Sequence, residues 1–250
     1  MNNPYQMSVS PDFAPRNIPG WFIFNTWLQR RLNIPIHLEL YSDFESQRNA
    51  IKSGALDLIY ANPFDASMLV REMGFSPVVR PATGSDECVV IVADNSPHQC
   101  VEDLPVGVKV ACTDDPDVEL VGMIMLETAD LDATNIVRVP VASYPLVAAQ
   151  LLAGRADAGF MLATAFDGLS SLVRRRLKLL VRSQISDIHH ALLVGPRLAD
   201  RKEALGEILL GMPDEPKSSQ ILTELGVSRW TLMEREDTEF MIDLMDTLKA

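Results

Sequence analysis

The chain has 250 residues, 47% of them hydrophobic and 22% charged; this is ordinary globular usage and excludes both disorder and a fibrous fold. Its 34 acids against 22 bases leave a net charge of −12, which argues against a general binder of nucleic acid or anionic membrane, since those need a basic surface. Apolar runs such as Trp21–Phe24 fall far short of the ~20 residues that span a bilayer.

Along the chain, Tyr5–Val9 reads as a first strand. Trp21, Phe24, Trp27 and Leu28 recur at helical spacing and predict a helix over Gly20–Leu32. Ile36–Leu40 reads as a strand, Phe44–Ser53 as a helix stopped by Gly54, Leu56–Tyr60 as a buried strand, and Pro63–Met73 as a helix stopped by Gly74. Cys88–Ala93, Lys109–Cys112 and Ile136–Val139 read as strands, with helices between and after them. Met241, Leu244, Met245 and Leu248 follow an i, i+3, i+4, i+7 pattern that predicts a closing amphipathic helix. This alternation predicts an α/β fold with mostly parallel sheets.

One stretch of the chain echoes another. In Ala50–Asp65 and again in Ala149–Asp167 a helix stops at a glycine, Gly54 or Gly154, suited to a left-handed cap. Three residues later an aspartate, Asp57 or Asp157, precedes a short strand. Asn62-Pro63-Phe64-Asp65 and Thr164-Ala165-Phe166-Asp167 then both read as helix N-caps with an acid at the third helical position. The repetition predicts two similar lobes and makes Asp57 and Asp157 structural.

Cys88, Cys100 and Cys112 form an odd set without zinc-site spacing, so no metal is expected and at least one thiol is unpaired within the chain, which leans towards a reducing compartment. Met1–Ser10 has neither a basic region nor an apolar core of a leader. The expectation is a cytoplasmic protein, with a periplasmic one as the alternative if a leader has been removed.

No nucleophile elbow, Walker loop, His-Glu-x-x-His or dinucleotide fingerprint occurs, so no catalytic residue and no cofactor is expected. His37 and His98 are isolated, while His189 and His190 are adjacent and would face opposite sides of a strand, one in the core and one towards a cleft. His189 is the candidate for ligand contact, against a structural role. Asp114-Asp115-Pro116-Asp117 precedes the helix-like Val118–Leu126. Its acids either complement a helix N-terminus or form a negative mouth that repels anions and prefers a cationic or neutral ligand. Tyr60, Asn62, Thr113 and Thr164 sit at strand-to-helix turns, either as caps and packing residues or as lining of a cleft between the lobes.

Several of these segments resemble the substrate-binding proteins of phosphate/phosphonate ABC transporters. They are Ser10-Pro-Asp-Phe13 after the first strand, Ala50–Pro63, Asp115-Pro116, Ser143–Asp157 and Ser183–Val194. The resemblance implies a type II periplasmic-binding fold whose two lobes close on a small solute. One lobe would be 1–86 plus 189–250 and the other 87–188, with hinges near Glu87 and Ile188. It adds Ser10, Asp12, Asp115 and Tyr144 to the candidate ligand contacts Tyr60, Asn62, Thr113, Thr164 and His189. Tyr144 lies near a family histidine, and Thr164 and His189 near the family's acidic contacts. Ala66 stands where the family has a tyrosine. The family's hydroxyl-rich turn after Asp-Pro, which holds the oxyanion, is here Asp117-Val118-Glu119-Leu120-Val121-Gly122. Carboxylates in place of donors disfavour an anion.

The function expected is therefore that of a solute-binding protein holding a small, non-phosphonate ligand, with a protein partner reading lobe closure and neither nucleic-acid binding nor membrane insertion. The alternatives are a cytosolic enzyme of the same fold acting on a small organic acid or cofactor precursor, and an interaction module that has lost its ligand.

Overall fold

Short apolar strands alternate with helices through residues 3–13 and 15–248, the residues described by this computed structural model. Residues 1, 2, 249 and 250, at the outer ends of the expected first lobe, and residue 14 lie outside them. Two units result. One comprises Met1–Gly84 and His189–Met245; the other is Ser85–Ile188, with which Asp246–Ala250 is grouped.

The first unit begins with β1 (Tyr5–Val9), α1 (Ile18–Leu32), β2 (Ile36–Glu39), α2 (Phe44–Lys52), β3 (Leu58–Ala61) and β4 (Ser76–Pro81). The second contains β5 (Cys88–Ala93), β6 (Lys109–Cys112), α3 (Pro116–Leu126), β7 (Val137–Pro140), α4 (Tyr144–Leu152), β8 (Ala158–Leu162), α5 (Ala163–Asp167), α6 (Ser171–Arg174) and β9 (Leu177–Arg182). The chain then completes the first unit with β10 (Ala191–Val194), α7 (Lys202–Leu210), α8 (Pro216–Leu225), β11 (Trp230–Leu232) and, as far as Met245, α9 (Arg235–Leu248).

The sheet of the first unit runs β11-β4-β10-β3-β1-β2, and that of the second β7-β6-β8-β5-β9. Each contains a βαβαβ portion whose first strand lies between the other two, with parallel pairing: Met7 faces Leu38 and Leu58, and Val110 faces Arg138 and Ala158. The remaining strands pair antiparallel, β10 with β3 and β4, β11 with β4, and β5 with β8 and β9. The α/β class therefore holds, but the sheets are mixed. The added strands do not follow a crossover helix within the βαβαβ portion, so nothing imposes the parallel sense on them.

Helix α1 buries Trp21, Phe24, Leu28 and Leu32 on one face against Leu222, Leu225 and Trp230, while Phe22 and Ile23 stay exposed. Ile51, Ile59 and Leu69 form a second core of that unit with Met241 and Ile242 of α9, so the closing helix is amphipathic as its spacing predicts. The second unit has one core, from the β5 valines to Val110, Val121, Val147, Leu151 and Phe160.

The internal echo has a structural meaning. Gly54 and Gly154 take φ of +69° and +66°, and the next N–H groups, of Ala55 and Arg155, return to Ala50 O at 3.0 Å and Gln150 O at 2.9 Å. Asp57 then donates its N–H to Gln6 O, and its carboxylate accepts the Gln6 N–H at 2.9 Å. Asp157 does the same with Lys109, also accepting at 2.9 Å. Each aspartate thus pins the start of one parallel strand to its neighbour.

Two expectations need correction. Pro63–Met73 is not one helix but a 3-10 turn, Pro63–Asp65, followed by a π-helical turn, Met68–Glu72. The wide turn returns the Met73 N–H to Met68 O at 3.0 Å and leaves both Leu69 and Val70 buried. Thr164 is not an N-cap, although Asn62 is, its Oδ1 accepting the Asp65 N–H at 3.0 Å. Strand β8 stays paired with β5 as far as Leu162 opposite Cys88, and Ala163 donates to Glu87 O at 2.7 Å. The position matching Asn62 is therefore Leu162, and Thr164 lies exposed within α5.

Candidate functional site

In parallel sheets the turns that leave the strands' C-terminal ends bring backbone N–H groups and cap side chains together. In the first unit these turns follow β1 and β3. Ser10 is buried and donates its N–H to Tyr60 O at 2.8 Å. Asp12, two residues on, lies 2.9 Å from His190 Nε2. The His190 ring stacks on Tyr60 at 5.3 Å, and Tyr60 packs between Trp21 at 4.9 Å and Trp230 at 6.0 Å. Burial pushes the Asp12 carboxyl up, but the charge and hydrogen bond of His190, with hydrogen bonds from Ser10 and the backbone, together outweigh it and hold the group below its ordinary value of 3.8. Asn62 is buried, with Oδ1 spent on its cap and Nδ2 without an acceptor among the described residues.

The structure thus brings Ser10, Asp12, Tyr60 and His190 together. His189 takes a different place: its Nδ1 lies 3.0 Å from Gly84 O and its N–H points to Met241 Sδ at 3.4 Å. The two histidines do face opposite ways, and His190 is the residue that sequence reasoning passed over in favour of His189. Its partner Asp12 is 178 positions away, so no local pattern could have selected it.

In the second unit, Thr113 follows β6 and its Oγ1 accepts the Asp115 N–H at 3.4 Å. Asp115 caps α3, Oδ1 accepting the N–H groups of Asp117 at 3.1 Å and Val118 at 3.4 Å, while Tyr144, at the start of α4, donates its hydroxyl to Oδ2. Asp117 is also buried, in the first turn of α3. Thr113, Asp115 and Tyr144 form one hydrogen-bonded group, and the exposed Thr164 lies outside it. The amides at the N-terminus of α3 are the groups that would ordinarily receive an anion, and here a built-in carboxylate occupies them.

The family model described as ABC transporter, phosphonate, periplasmic substrate-binding protein matches residues 7–238. The chain belongs to this family. Among solved structures, PhnD1 of Prochlorococcus marinus in complex with methylphosphonate is 12% identical with a TM-score of 0.83, covering 98% of each chain. A binding component of an ABC phosphonate transporter from Pseudomonas aeruginosa is 12% identical at a TM-score of 0.78, over 100% of this chain and 90% of that one. The aliphatic sulphonate-binding protein SsuA of Escherichia coli is 15% identical at 0.68, over 100% and 88%. At these identities the likeness is one of fold, and it is the type II periplasmic-binding fold that the sequence resemblance implies. No curated protein matches the chain.

Membership of the phosphonate-binding family carries with it a small-molecule ligand and docking to an ABC transporter. It gives no support to the enzyme or interaction-module alternatives. The family is described as periplasmic, so the cytoplasmic expectation loses its support and the odd cysteine count, on which it leaned, decides nothing. Among the described residues no helix is long and apolar enough to cross a membrane.

Proposed function

We propose that the chain is the periplasmic solute-binding component of an ABC transporter and that its solute is a small neutral or cationic molecule, not phosphate or a phosphonate. The lobes would be 1–86 plus 189–250 and 87–188, with the solute contacted by strand-end residues of both. Asp115 carries the reading. An oxyanion needs free donors in a desolvated site, whereas the α3 amides already serve the Asp115 carboxylate, and the buried Asp117 sets a second carboxyl, not a donor-rich side chain, beside them. A solute that offers hydrogen-bond donors or positive charge meets no such conflict.

Ser10, Asp12, Tyr60 and Asn62 are the proposed contacts from the first unit, joined by His190; Thr113, Asp115 and Tyr144 are those from the second. Thr164 and His189 remain proposed contacts on the resemblance alone.

Thermal unfolding against a panel of small solutes tests this. A ligand at a hundred times its Kd adds about 2.7 kcal/mol, which for a chain of this size raises the midpoint by several degrees. Methylphosphonate and inorganic phosphate at 1 mM (about the level where weak binders register) are expected to leave the midpoint unchanged. Amines or neutral polar solutes are expected to raise it, with a smaller shift in Tyr144→Phe. A saturable shift with methylphosphonate would overturn the proposal.

A further inference from the structure

We propose that Glu87 fastens both chain segments that join the two units into one rigid base on the second unit, so that bending is confined to the peptide steps Gly84–Ser85 and Ile188–His189. The chain passes from one unit to the other at these two steps. Glu87 lies just beyond the first, and its carboxylate gathers donors from both sides of the gap. Oε1 accepts the Ser85 hydroxyl at 2.6 Å and the Ser186 N–H at 2.9 Å; Oε2 accepts the Ser183 hydroxyl and the Ile185 N–H at 3.1 Å. A carboxylate has about four lone-pair sites, and all four have donors here.

The neighbouring bonds extend the same tie. Ser183 donates its N–H to Cys88 O at 2.9 Å and accepts the Cys88 N–H on Oγ at 2.9 Å. Asp86 donates to Ile188 O at 2.8 Å. Ser186 takes φ of +68°, uncommon for a residue with a side chain, and the bond from its N–H to Glu87 accompanies that geometry. Burial pushes the Glu87 carboxyl up, yet its donors hold it below the ordinary carboxylate value, so the tie is present at neutral pH.

On the first unit the facing ends are tied too, His189 Nδ1 standing 3.0 Å from Gly84 O. Each unit therefore holds its own pair of ends, and only the two steps between the ties are left to turn. Gly84 suits that duty: its φ is +87° and nothing lies within 4 Å of where a Cβ would be. Hinges in general are a few residues that absorb the backbone rotation.

The inference is independent of which solute binds, and its test uses the ligand-free chain. Spin labels go on Cys100, the exposed cysteine, and on Lys217→Cys in the other unit; Cys88 and Cys112 are buried. Glu87→Gln keeps the volume but sets an NH2 group against two of the donors. Amide exchange at Ile185 and Ser186 is expected to accelerate about tenfold or more, in line with the loss of a charge-assisted bond. The distribution of distances between the labels is expected to broaden, with Ser183→Ala giving a smaller change in the same direction. A residue that only supports the fold would lower the melting temperature without widening the distribution. That result, or unchanged exchange at both amides, overturns the proposal; should Glu87→Gln fail to fold, Ser183→Ala decides by the same two readouts.

Discussion

At the scale of single residues, the Asp12–His190 pair buries two ionisable side chains in contact, 2.9 Å apart. Two ionisable groups are buried together, and each makes the other tolerable; removing one partner of such a pair typically costs about 3–5 kcal/mol because the remaining charge is uncompensated. The Asp12 carboxyl is held below 3.8, so its contribution is fully present above that pH and is lost as the pH falls through the depressed folded value. His190→Phe keeps a ring on Tyr60 but leaves buried Asp12 without its counter-charge, only hydrogen bonds from Ser10 and the backbone remaining, so burial pushes its carboxyl up and reverses the sign. Urea denaturation is expected to show the variant about 3 kcal/mol less stable than the parent at pH 7, with part of that deficit recovered as the pH is lowered towards 4. A deficit that stays constant with pH would mean that the two groups do not share charge. The contrast with Asp57 and Asp157 shows what sequence makes legible at this scale. Their turn is local, a glycine three residues before an acid, and the pattern repeats, so it can be read from the chain. The Asp12–His190 contact joins the two ends of the first unit and has no local signature.

At the scale of elements, α1, α2 and the parallel strands were readable because an amphipathic period or a short apolar run decides them with little help from elsewhere. Pro63–Met73 and Thr164 depart from the local reading because tertiary contacts decide them: in one, two adjacent buried residues, Leu69 and Val70, accompany a widened turn in place of a regular helix, and in the other pairing with β5 carries strand β8 on as far as Leu162. Glycines inside helices are another property set by neighbours. A Cβ at Gly122 of α3 would stand 2.7 Å from the Phe160 ring, whereas one at Gly206 of α7 would meet Leu232 Cδ2 at 3.4 Å, ordinary contact. Both substitutions gain about 1 kcal/mol of helix propensity, but overpacking a filled core costs about 1–3 kcal/mol. Phe160 is 1% exposed, so its ring can withdraw only by displacing the close-packed core around it. Gly122→Ala is accordingly expected to lower the urea midpoint, and Gly206→Ala to leave it unchanged or raise it slightly. Equal effects at the two sites would mean that the ring of Phe160 yields.

At the scale of the whole molecule, the two units differ in how the chain supplies them. The core of the second unit is drawn from residues between Cys88 and Ile185, a single continuous stretch. The cores of the first unit combine Met7, Trp21 and Ile59 with Leu192, Trp230 and Met241, so they need both ends of the chain and the closure of everything between. About a hundred residues with one core is an ordinary size for an independent domain. The ends of the stretch Ser85–Ile188 are held together by the β5–β9 pairing, the Asp86–Ile188 bond and the four donors on Glu87. An excised Ser85–Ile188 fragment is therefore expected to fold alone and to unfold in urea in one cooperative step, with a slope of roughly 1–3 kcal/mol per molar. All three tryptophans, Trp21, Trp27 and Trp230, lie in the first unit, so the fragment has to be followed by circular dichroism. In the intact chain, tryptophan fluorescence reports the first unit alone. If the fragment gives a disordered spectrum or a sloping, non-cooperative response, the second unit depends on the first for its stability. Glu87 would then be closing a stretch that cannot stand by itself, and the tie would have to be understood as part of folding before it could serve as the fixed side of a hinge.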